Sequence, residues 1–149
     1  MNKETILAEL RQARTGHIRW RTYAQSIVNA PNHLDDIEEK APVCHTECKF
    51  GRWYFSNLES LGDIDGFNEI DPLHELLHQT YSEIFAVMSQ KDSSGTLARL
   101  LGSKNRHLEK KMTSVRALLE KLEETSRQLL TALDKFEDEI KKLPEIAEA

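Results

Sequence analysis

Residues 2–30 contain no proline, and Ile6, Leu10, Ala13, His17, Trp20, Ala24 and Ile27 recur there at alternating spacings of four and three. That rhythm puts them on one face of a long helix, apolar everywhere except at His17. Pro31 closes the helix, because it lacks a backbone donor and disfavours helical geometry in the residue before it. A polar, irregular stretch covers 33–47. Residues 49–58 (KFGRWYFSNL) are aromatic and read as a short helix packed on the others rather than as a strand. Gly62, Asp63, Asp65 and Gly66 mark a turn. Asp71 and Pro72 then have the look of an N-cap followed by a first helical position, which opens a second long helix with His74, His78, Tyr81, Phe85 and Met88 on its seam, flanked by Leu77 and Ile84. That helix stops before the polar loop at 91–95.

The last pattern is the longest. Leu101, Leu108, Met112, Val115, Leu119, Leu122, Leu129, Leu133, Phe136, Ile140 and Leu143 keep a near-heptad register, interrupted at Asn105 and Ser126, up to about Pro144. At ~1.5 Å per residue this helix exceeds ~60 Å, so the two shorter ones leave its far end uncovered. Leu118, Leu130 and Ala132 widen the stripe, which suits bundle packing or a multi-helix coiled coil as well as a simple pair. The expected class is all-α: a four-helix-bundle-like domain with one short extra helix, and a long C-terminal helix extending as a coiled coil. The expected division is a helical domain over 1–124 and a helical extension with a short acidic tail over 125–149. Homodimerisation through the bundle and the last helix is the simplest way to cover the exposed stripe.

Composition agrees: 39% hydrophobic and 30% charged residues with six Gly and four Pro favour helices over many strands. A net charge of -5 gives no overall attraction to phosphate backbones, so nucleic acid is not an expected partner. No run of about 20 apolar residues is present, so no membrane span is expected, and the cytoplasm is the expected location. Glycine-rich phosphate loops and nucleophile elbows are absent from the sequence.

The chemistry concentrates in a few residues. His74 and His78 are four apart on one helix face and can grip one ion together. His17 lies midway along an otherwise apolar seam, where an unpaired imidazole costs roughly 1–3 kcal/mol. With Cys48 in the aromatic segment between the two helices, these residues form a set that zinc explains economically, since zinc takes imidazole nitrogen and thiolate sulfur in a tetrahedron. Taken alone, each histidine also reads as a hydrogen-bonded core residue.

Residues 48–54 (CKFGRWY) make the pattern specific. With His17 followed by Trp20 before this block and the pair His74 and His78 after it, the chain resembles the chemoreceptor zinc-binding (CZB) domain family of bacterial signal transduction over roughly 5–122, as a free-standing member. The resemblance implies a four-coordinate Zn2+ site at His17, Cys48, His74 and His78, a helical bundle that often dimerises, and sensing in chemotaxis or cyclic-di-GMP-type signalling with a signalling protein as partner. The signal would be zinc availability or thiol oxidation at Cys48, read out as helix repacking. Four protein ligands leave no position for an activated water, so no enzyme activity is expected. Trp20, Phe50, Gly51, Trp53 and Tyr54 are expected as packing around the site. Cys44 reads first as an ordinary thiol in a polar loop, with a resolving thiol for an oxidised Cys48 as the alternative. His45 is expected behind the ligands or facing solvent, His33 and His107 at the surface, and Asp71 or Glu75 as an acidic partner for a ligand ring. The other readings are a metal-storage or structural zinc protein, a hydrolase with three zinc-bound histidines, and a di-iron haemerythrin-like carrier. The last needs about five histidines with bridging carboxylates, which this chain does not assemble.

Overall fold

The computed structural model describes residues 2–29, 41–89 and 103–144. Among them are five helices and no strand: α1 (Lys3–Asn29), α2 (Lys49–Ser56), α3 (Leu58–Leu61), α4 (Phe67–Ser89) and α5 (Ser103–Lys142). The expected all-α class is the observed one. No helix among the described residues is long and apolar enough to cross a membrane.

α5 is the spine. α1 runs antiparallel to it: Lys3 donates to the carbonyls of Lys141 and Leu143, Arg14 pairs with Asp134 and Glu137, Arg21 reaches Ser126 and Gln25 reaches Glu123. α4 is antiparallel to α5 as well, with the Phe67 and Phe136 ring centroids 5.3 Å apart and Lys135 bonded to Glu69 at 2.7 Å. α1 and α4 are therefore parallel to each other, and their facing seams meet where Trp20 packs edge-on against Tyr81 at 4.4 Å. Most of the core is the set of residues that the spacing singles out. Ile6, Leu10 and Ala24 come from α1, Leu77, Ile84 and Met88 from α4, and Val115, Leu122, Leu129, Leu133, Phe136 and Ile140 from α5. The polar residues in the α5 stripe are satisfied. Thr125 donates to the Lys121 carbonyl at 2.8 Å, and Ser126 accepts from Arg21 at 3.3 Å.

Two expectations are corrected. α4 starts at Phe67, so Asp71 and Pro72 lie inside it rather than at its entrance. The added turn buries Phe67 and Ile70 completely, and Phe67 stacks on Tyr54 at 4.2 Å while its carbonyl accepts the Tyr54 hydroxyl at 3.0 Å. That packing outweighs the backbone donor that Pro72 lacks. Second, residues 125–142 do not project beyond the bundle; Leu129, Leu133, Phe136 and Ile140 are all 0% exposed within the single chain. The antiparallel pairing sets the end of α5 beside the start of α1, so the overhang falls at the other end of α5, where Leu108 is 49% exposed. Phe85, expected on the seam, is half-buried. Leu101, the loop at 91–95 and His33 lie outside the described residues, as does the side chain of Asn105.

Candidate metal centre

α1 delivers His17, α4 delivers His74 and His78, and the N-cap of α2 delivers Cys48. All three imidazoles are buried, with 1–5% of their surface exposed. His17 Nδ1 donates to the carbonyl of Ala13 at 2.6 Å, and His78 Nδ1 donates to the carbonyl of Val43 at 2.9 Å. A carbonyl only accepts, so these bonds fix the proton on Nδ1 and leave the Nε2 lone pair of each ring free. His74 lies between them, with ring centroids 4.8 Å from His17 and 4.7 Å from His78, both near perpendicular. Its Nε2 is 3.4 Å from Cys48 Sγ.

Cys48 is held by a tight local frame. Its amide and that of Glu47 both donate to the Cys44 carbonyl, at 3.2 and 2.9 Å, closing one turn ahead of α2. Its Sγ then caps α2 by accepting from the Gly51 amide at 3.2 Å. Gly51 is required at this spot: a Cβ there would overlap the His45 carbonyl, so any side chain would push the 45–46 backbone away and take the thiol with it.

One ligand atom from each of the four residues lies within 4.8 Å of every other. A tetrahedral zinc with bonds of ~2.0–2.3 Å has donor–donor edges of about 3.4 Å, so closing around an ion requires a contraction of at most about 1.4 Å. The three imidazoles are also in a suitable protonation state. Burial drives the pKa of His17 down to about 4 and that of His74 down to about 2, in each case with a neighbouring histidine adding to the effect. Burial lowers His78 too, against the opposing bond to Val43, and pushes the Cys48 thiol up. The rings are neutral and ready to coordinate, whereas the thiol needs a cation to give up its proton.

The surrounding residues divide. Phe50 sets its edge against His17 and His74, at 5.8 and 5.2 Å, and Trp20 leans on His78 at 5.5 Å. Trp53 backs Phe50 at 5.7 Å, and Tyr54 turns towards Phe67, so it anchors α2 to α4. Glu75 is exposed and bonded to Gln79, whereas Asp71 Oδ1 is buried and 3.5 Å from His45 Nε2. His45 is thus behind the ligands, and His107 is exposed. Cys44 is exposed, its Sγ accepting from the Thr46 hydroxyl at 3.3 Å. A cleft of about 440 Å³ between α1 and the start of α2 reaches His17, Cys48 and His78, with Arg11, Arg19 and Lys49 among its lining. The main-chain carbonyls of Ala13 and Val43 are functional groups that sequence reasoning missed. The first stands one turn before His17 and could have been read from i−4 spacing, whereas the second had no local signal.

The fold and site define a helical-bundle domain with a cluster of three imidazoles and one thiol that could hold a metal ion. Residues 17–85 match the family model of the chemoreceptor zinc-binding domain, a stretch that contains all four candidate ligands. The matched family is named for zinc, and the three-imidazole, one-thiol donor set of this site fits that ion. No curated protein and no solved structure matches the chain.

The buried histidines make the metal-free fold sensitive to acid. His17 titrates near 6.5 when unfolded and near 4 when folded, so between those values the unfolded chain binds more protons. This contribution is intact above pH 6.5 and is lost as pH falls. Lowering the pH from 7 to 5 should remove on the order of 2 kcal/mol through His17 alone. Urea unfolding of the metal-stripped chain at the two pH values measures it, and an unchanged midpoint would contradict a buried neutral imidazole.

Proposed function

We propose that the protein is a non-enzymatic zinc-binding signalling domain in which His17, Cys48, His74 and His78 hold one zinc ion, and in which the state of that site sets how α1, α2 and α4 pack. The observation that carries this reading is the convergence of three buried imidazoles and a half-buried thiol from three separate segments, within 4.8 Å of one another. When bound, the ion supplies a positive charge that keeps the Cys48 sulfur as thiolate and ties the three segments together. With all four positions filled by protein, the site has no opening for a substrate water, which favours regulation over hydrolysis. Losing the ion releases the Cys48 sulfur from the three imidazoles and leaves the Nε2 atoms of His17 and His78 buried without their metal partner. The resulting repacking would reach a second copy of the chain or a signalling partner through α5, which packs along both α1 and α4.

Zinc analysis of the wild type and of Cys48→Ala and His78→Ala tests the reading. The expected result is one zinc per wild-type chain and a loss of at least tenfold in affinity in each variant, with helical content retained. A wild type that takes up no zinc, or variants that bind as tightly, would contradict it. A change of oligomeric state or partner binding on zinc removal separates signalling from mere storage.

Thiol oxidation is the second input in this proposal. A hydroperoxide would convert the Cys48 thiolate to sulfenic acid and be reduced to an alkoxide. Attack by the Cys44 thiol on that sulfur would then form a disulfide, with the sulfenic oxygen leaving as water. The turn at 44–48 closes with a helical i→i+4 bond, a spacing that keeps Cβ atoms about 5–6 Å apart. A disulfide needs about 3.8 Å, so the bridge requires Cys48 to swing out of the cluster, which would expel the ion. Mass spectrometry after mild peroxide should find a Cys44–Cys48 bridge that forms along with zinc release, and Cys44→Ser should stop at the sulfenic acid. Zinc release with no bridge would eliminate Cys44 from the mechanism.

A further inference from the structure

Of the three clustered imidazoles, His74 is the one whose Nδ1 has no partner among the described residues. His17 and His78 each give their Nδ1 proton to a main-chain carbonyl, whereas His74 Nδ1 is buried with no hydrogen-bond partner among the described residues. One turn earlier on α4, Asp71 carries a second buried orphan, Oδ1. Residues at this i, i+3 spacing share a helix face with Cβ atoms about 5–6 Å apart, and helical side chains lean towards the N-terminus, so the His74 ring lies over the turn that carries Asp71. The two vacancies are complementary. If an ion takes Nε2 of His74, the ring proton must sit on Nδ1, where an unsatisfied donor costs roughly 1–3 kcal/mol. Of the other side chains, the Tyr54 hydroxyl is turned to donate to the Phe67 carbonyl and the Glu75 carboxylate is exposed and accepts from Gln79.

We propose that Asp71 is the positioning residue of the metal centre, its carboxylate accepting the Nδ1 proton of His74 once Nε2 is bound to the ion. This rests on the zinc-binding reading above. It also balances charge. A divalent ion with one thiolate and three neutral imidazoles carries a net charge of +1 into a buried setting, and the Asp71 carboxylate cancels it. His45 is the competitor for this carboxylate, with Nε2 3.5 Å from Oδ1 and its ring centroid 5.6 Å from that of His74. In the loaded site His45 is released or shares the second lone pair, and it is not required for binding.

Chelator competition for zinc, with wild type, Asp71→Ala and His45→Ala, combined with ¹⁵N-histidine NMR of the loaded proteins, tests the assignment. Asp71→Ala should weaken binding about 10–100-fold, His45→Ala should change it less than about threefold, and the hydrogen-bonded Nδ1 proton of His74 should be visible in wild type and absent in Asp71→Ala. The melting of metal-stripped Asp71→Ala should stay close to wild type, which a purely structural carboxylate would not allow. Equal zinc affinity in Asp71→Ala overturns the assignment, as does an equally large loss in His45→Ala, which would route the effect through His45. If the wild type itself binds no zinc, the reading beneath fails instead, so the two failures are distinguishable.

Discussion

Everything distinctive in this protein depends on the burial of four donor groups without enough protein partners for them. Three imidazoles at 1–5% exposure and a half-buried thiol form a pocket of lone pairs in the middle of an apolar bundle. In the absence of an ion, desolvation works against protonating the rings and against ionising the sulfur, as the lowered histidine and raised cysteine pKa values record. A cation reverses both costs at once: it takes the neutral rings as they are and stabilises the thiolate. The bundle can carry this local conflict because its core elsewhere is consistent, with apolar residues of α1, α4 and α5 filling the seams above and below the cluster.

The same helical arrangement would couple the proposed zinc site to the packing of the bundle. α1 and α4 lie parallel on one side of α5 and meet each other through aromatic and histidine rings. α2 is a short element held by the Cys48 cap at one end and by the Tyr54–Phe67 stack at the other. Removing the tie at Cys48 loosens the first of these anchors and leaves the second. A change at the ion therefore has a mechanical path into the contact between α4 and the spine helix, with no need for the whole bundle to open. The cleft beside His17 and Cys48 gives chelators and oxidants a route to the sulfur.

Much of this was legible in the sequence. The spacing of Ile6, Leu10, Ala13 and Ala24 placed His17 on a buried face, and the heptad of α5 identified Leu122, Leu129, Phe136 and Ile140 as core. The placement of His17, His74 and His78 could be anticipated because i, i+4 pairs and seam positions follow from helix geometry, whereas Cys48 was tied to them by the resemblance of residues 48–54 to the chemoreceptor zinc-binding family. Three features were not legible. Pro72 advertised a helix start that Phe67 packing overrode, a tertiary contact with no local trace. The side of α5 left uncovered depends on the pairing of Lys3 with the end of α5, 138 and 140 residues away in the chain. The carbonyl of Val43 that orients His78 comes from an irregular stretch, where no periodicity points to a direction.

The central claim is that one zinc sits among three imidazole nitrogens and one thiolate sulfur. X-ray absorption at the zinc edge tests it most directly, because scattering distinguishes sulfur from nitrogen and gives both distances. The account predicts a single four-coordinate shell with one sulfur at about 2.3 Å and three nitrogens at about 2.0–2.1 Å. A shell without sulfur, one with two sulfurs, or one with five or six light atoms would contradict it.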